Sequence, residues 1–234
     1  MKFIPRSPAP LAAALLLGVL APAQADLFVY TPNLAVPDGL ASGVTDSQNV
    51  TTAFNFLTDV NVSLKLTPTA NSGGGYNGDL YVSLVHESGF SVLLNRVGRR
   101  TGSAFGYGDV GFRLTFDDTA PDDVHSYRLA LNGDHTIPLA DLLGGSWQPD
   151  GRTADPSFVT DLSPRTAPLA NFNGINPNGT WTLFVADVQT GGQLTLDSWS
   201  LNLLGTTVVP EVSTTAPFLL VGALAFHVWK RRQK

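Results

Sequence analysis

Thr180-Trp181-Thr182-Leu183-Phe184-Val185-Ala186 decides the fold class. Trp181, Leu183 and Val185 alternate with Thr182, Phe184 and Ala186. A period of two puts one set on each face of a strand. Asn178-Gly179 ahead of the run suits a tight turn, and Gly191-Gly192 behind it suits a hairpin. The chain then repeats the pattern, with Trp199, Leu201 and Leu203 between Ser198, Ser200 and Asn202. Trp181 and Leu201 are therefore expected to face one core, where a tryptophan contributes a large apolar area.

Working outward, the same period recurs. Val60, Val62, Leu64 and Leu66 alternate with Asn61, Ser63 and Lys65. Leu80, Val82 and Leu84 alternate with Tyr81, Ser83 and Val85, and Phe112, Leu114 and Phe116 with Arg113, Thr115 and Asp117. Glycine- and asparagine-rich turns at 71–78, 106–108 and 173–179 separate the runs. No long helical period appears between the chain ends, and no repeat of fixed length. Many short strands with such turns predict an all-β chain, an antiparallel β-sandwich or jelly roll. The stretch 122–160 is long and weakly patterned, with Trp147-Gln148-Pro149-Asp150-Gly151-Arg152 inside it.

Several separated segments resemble the P domain, or Homo B domain, found beside subtilisin-like convertases. They are Val36-Pro37-Asp38, Gly78-Asp79-Leu80-Tyr81-Val82-Ser83-Leu84, Thr115-Phe116-Asp117-Asp118 and Asn178-Gly179-Thr180-Trp181 through Asp187, followed by Ser198-Trp199-Ser200-Leu201. They occur in the family's order and cover about 36–204. The resemblance implies a jelly-roll sandwich of galactose-binding-like type and a link to secreted serine endopeptidases. One departure stands out. The family often carries Gly-Asp before its last strand pair, whereas this turn reads Thr190-Gly191-Gly192, with no acid.

The two ends read as export signals. Lys2 and Arg6 precede an apolar core at 11–20, and Ala23-Gln24-Ala25 is a small-x-small site for signal peptidase, so the mature chain is expected to begin at Asp26. At the other end, Val209-Pro210-Glu211 opens a short polar stretch. An apolar run of 14 residues, 216–229, follows, and then Lys230-Arg231-Arg232-Gln233-Lys234. The order of parts resembles the PEP-CTERM signal, which implies cutting by an exosortase near Pro210-Glu211. Basic residues would hold the tail on the cytoplasmic side. The run is shorter than the about 20 residues that span a bilayer, which suits a temporary anchor. The expected organisation is a signal peptide at 1–25, a P-domain-like sandwich at 26–205 and a sorting signal with a short helix at 206–234.

Charge narrows the partners. All 19 acidic residues lie within 26–211, against eight of the 14 Lys and Arg, a balance of −11. Lys65 is the only lysine in that span. Such a body repels nucleic acid. There is no cysteine, so no disulfide stabilises it. Asp79, Asp109, Asp117, Asp118, Asp122 and Asp123 fall near strand ends or loops. They read either as solvated loop acids or as oxygen ligands for calcium, with Asp79, Asp117 and Asp118 the candidates because they lie in family-like segments. Tyr76, Tyr107 and Trp147 sit in loops from which aromatic rings could stack on sugars.

Catalytic signatures are missing. There is no Gly-x-Ser-x-Gly elbow. His86-Glu87 has no second histidine at metalloprotease spacing, and His125 and His135 stand apart from any serine motif. The expected function is a non-catalytic, exported cell-surface or extracellular-matrix protein, with signal peptidase, an exosortase-type enzyme and extracellular polysaccharide or a peptidase as partners, and only transient membrane contact. The alternative is an accessory or degenerate component of a secreted subtilisin-like endopeptidase system.

Overall fold

A computed structural model of the chain describes residues 24–69, 74–87 and 89–207. The run 180–186 forms the middle of strand β9, Gly179–Asp187. Before it come β1 (Gln24–Tyr30), β2 (Leu34–Val36), β3 (Leu40–Val50), β4 (Phe56–Pro68), β5 (Leu80–His86), β6 (Gly89–Asn95), β7 (Phe112–Phe116) and β8 (Leu143–Trp147). β10, Leu194–Thr206, closes the series, and one short helix, α1, covers Tyr127–Asn132.

The strands make two sheets. One runs β1-β10-β4-β7-β8, with β2 also pairing with β10; the other runs β3-β9-β5-β6. Their inward residues share one core. Val62, Leu64 and Leu201 come from the first sheet and Leu84, Trp181 and Leu183 from the second. The expected sandwich is present, with Trp181 and Leu201 fully buried. Trp181 packs between Phe172 and His86, with ring centroids 4.8 and 4.7 Å away, and donates Nε1–H to the Pro177 carbonyl at 2.9 Å. Trp199 donates to Asp46 Oδ2 at 2.7 Å, which ties β10 of one sheet to β3 of the other.

Two details depart from simple alternation. β7 and β8 pair in parallel, not antiparallel. The connection 117–142 carries α1 and returns the chain in the same direction, as a parallel pair requires. β10 also shifts register against β4 between Leu196 and Ser198. The bulge at Asp197 lets Leu194 and Leu196 face inward and then resets the pleat so that Trp199, Leu201 and Leu203 face inward too.

Gln24 and Gly205 are register partners, so the described chain starts and finishes side by side. Ala25 lies in β1 opposite Leu204. Ala23, the rest of the expected signal peptide, Pro210, Glu211 and the expected sorting helix lie outside the described residues. Among the described residues no helix is long and apolar enough to cross a membrane.

Candidate functional site

The three aspartates expected to bind calcium do not converge. Asp79 immediately precedes β5 of the four-stranded sheet, while Asp117 and Asp118 follow β7 in the other. Asp79 is buried and meets Arg96 NH2 at 3.3 Å. Arg96 also donates Nε–H to the Gly78 carbonyl at 2.9 Å. Burial pushes the Asp79 carboxyl up, against the pull of Arg96. Gly78 is small for a reason, since a Cβ there would stand 2.4 Å from the Phe105 carbonyl oxygen. The Gly-Asp-Leu segment therefore docks the loop at 105–107 and holds Arg96.

Asp117 and Asp118 serve the backbone. Asp117 Oδ1 accepts from the Thr119 N–H and hydroxyl, both at 2.7 Å. Asp118 accepts from the N–H groups of Leu169 and Ala170 and pins the 3-10 turn Leu169–Phe172 against the end of β7. Among the described residues, no group of three or more His, Asp or Glu is placed to hold a metal ion.

The weakly patterned stretch holds a buried ionic network that sequence reading missed. His125 and Asp150 are fully buried, with Nδ1 2.7 Å from Asp150 Oδ2. His125 Nε2 lies 2.9 Å from the Arg99 carbonyl. A carbonyl only accepts, so Nε2 carries a hydrogen, and the Nδ1–carboxylate contact shares a second proton. Arg152 joins Asp150 at 3.2 Å and Asp123 at 2.8 Å. Burial opposes a charge on His125, but the hydrogen bond and charge of Asp150 outweigh it and hold the imidazole pKa above its ordinary value. The partners are 25 residues apart in sequence, so no local spacing signals the pair.

An Asp–His pair is two thirds of a serine-hydrolase triad. Here the nitrogen that would face a serine faces the Arg99 carbonyl instead, and the ring has no solvent exposure. The pair is a structural clamp. His135 bonds to the Tyr107 hydroxyl, and His86 packs at a tilt against Trp181. Asp109 receives a bidentate Arg128, at 2.7 and 2.8 Å, together with the Tyr127 hydroxyl and the Leu139 N–H. Despite burial, these donors hold its carboxyl below the usual range.

Two of the open surfaces among the described residues bear on function. At the end of the sandwich far from Gln24 and Gly205, a cleft of about 340 Å³ is lined by Tyr76, Asp79, Phe105, Tyr107, Gln189 and Thr190. Tyr76 is 40% exposed and Phe105 74%, whereas Tyr107 is 1% and Trp147 5% exposed. Of the three rings expected to stack on sugars, only Tyr76 can. Tyr107 lies edge-on to Tyr127, centroids 4.6 Å apart, and Trp147 donates Nε1–H to the Gly144 carbonyl. Behind the cleft, Asp187 is buried beside Asp79 and Asp38. Burial, and then those two charges, push its carboxyl up to about 7 against the Gln189 and Gly39 N–H groups. The second surface is a trough of about 460 Å³ on the outer face of the first sheet.

No family model matches the chain. No curated protein matches it. The P-domain resemblance thus rests on the residues quoted above. Among solved structures the chain is similar to the crystal structure of the Aeromonas sobria serine protease (ASP) in complex with the chaperone ORF2, at 18% identity and a TM-score of 0.41. The match covers 81% of this chain and spans 28% of that one.

Proposed function

We propose that this chain is an exported, non-catalytic β-sandwich protein of the cell surface or extracellular matrix, processed at both ends. The observation that carries the reading is the pairing of Asp26, the expected mature N-terminus, with Leu203 near the end of β10. The first and last described strands meet at one end of the sandwich, and β10 runs 13 residues from Thr206 back to the cleft end, about 40 Å at strand rise. A tail held in a membrane beyond 207 presents the Tyr76–Phe105 cleft outward. The sealed His125–Asp150 pair supports a role without chemistry.

Signal peptidase acts at Ala23-Gln24-Ala25 and an exosortase-type enzyme near Pro210-Glu211 in this reading. The test replaces Pro210-Glu211 by Ala-Ala in a host that carries the sorting enzyme. The variant is expected to stay in the inner membrane while the wild type reaches the surface. Equal surface delivery of both would overturn the reading. Co-purification of a serine peptidase with the surface form would favour an accessory role in a protease system instead.

A further inference from the structure

The outer face of the first sheet carries a feature that sequence alternation hides. Val29 pairs with Ser200, Ser200 with Ser63, Ser63 with Thr115, and Thr115 with Ser146. One register row thus crosses four strands with hydroxyl side chains alone, from Ser200 to Ser146. At about 4.8 Å per strand the row is about 14 Å long. Ser63 and Thr115 already touch, oxygen to oxygen at 2.9 Å. Short side chains in a row between longer ones leave the trough described above, whose lining includes all four.

The next row along the strands is cationic. Lys65 and Arg113 are direct cross-strand partners, and Arg113 faces Gly144 on its other side. Like charges placed opposite each other in a sheet are destabilising. They are more unexpected in a body with a balance of −11, where Lys65 is the only lysine. Lys65 is countered by Asp197 at 3.3 Å. Arg113 is exposed and meets no carboxylate within ion-pair distance among the described residues. Gly144 offers no side chain to cover it.

We propose that this trough binds a uronate-bearing polysaccharide, with Lys65 and Arg113 taking a sugar carboxylate and the Ser200–Ser63–Thr115–Ser146 row taking ring hydroxyls. Hydroxyls both donate and accept, which matches a polyol and not an apolar chain. Outside the trough, on the side of the hydroxyl row away from Lys65 and Arg113, lie Asp59 of β4 and Asp117 just after β7, close enough that the Asp117 charge helps raise the Asp59 pKa, after burial. Charge on this face thus favours a sugar carboxylate at the Lys65–Arg113 side of the trough and uncharged hydroxyls along the rest of it. A peptide strand would add to the free edge of β8 instead of crossing the face. The inference deepens the matrix reading and rests on it for context, but its test does not depend on export.

The experiment titrates the full-length protein, in detergent micelles with chelator, with oligoalginate and with neutral dextran. Oligoalginate is expected to bind, more weakly as ionic strength rises, and dextran is not. Arg113→Gln should weaken binding about tenfold or more, the loss expected for one charge-assisted hydrogen bond, while the melting temperature holds or rises. Thr115→Val, which removes one hydroxyl from the row, should weaken binding as well. Equal binding of dextran, undiminished binding by Arg113→Gln and Thr115→Val, or no binding of oligoalginate would each overturn the proposal. None of these results bears on export or tail processing.

Discussion

His125 and Asp150 hold a proton between them inside the protein, with Nδ1 2.7 Å from Oδ2 and the far ring nitrogen on the Arg99 carbonyl. The imidazole pKa is raised on folding, so its contribution to stability is complete below the unfolded value of about 6.5 and fades as pH rises through the folded value. Asp187, with its carboxyl pushed up to about 7, has the same sign at lower pH. It stabilises below its unfolded value of about 3.9 and loses that contribution as pH rises towards 7. The midpoint of denaturant unfolding should therefore fall as pH rises from 6 to 9. His125→Gln should be less stable at pH 6 and show a flatter profile above it. A wild-type midpoint that climbs over this range would remove the buried proton.

Trp181→Ala removes the ring between Phe172 and His86 and should cost about 3–5 kcal/mol in denaturant melts. A loss below about 1 kcal/mol would place the ring at the surface.

Asp118→Ala leaves the N–H groups of Leu169 and Ala170 without their carboxylate. The expected cost is about 1–3 kcal/mol, equal in chelator and in millimolar calcium. A cost seen only with calcium would restore the metal reading of Asp117 and Asp118.

What the sequence made legible is the half of the fold in which one face is buried and the other wet. β4, β5, β7, β9 and the part of β10 beyond its bulge announce themselves through alternation. β3 does not, because Leu-Ala-Ser-Gly-Val-Thr-Asp-Ser-Gln-Asn-Val is an edge strand with few buried positions. β8 hides behind Gly144-Gly145, and α1 has only six residues, too few to show a period. Asp79 and Asp118 were legible as special residues but not as clamps, since their partners Arg96 and Leu169 are brought to them by tertiary contacts, whereas Asp117 holds a local turn through Thr119. The trough was unreadable for the same reason. Ser63, Thr115, Ser146 and Ser200 become neighbours only through strand register.

The most direct test of a processed surface protein is mass spectrometry of the surface fraction from a host with the sorting enzyme. The expected result is peptide coverage beginning at Asp26 and running towards Val209, with none from 218–230. Recovery of 218–230 peptides in that fraction would show that the tail is kept, and a permanent membrane anchor would replace the sorting signal.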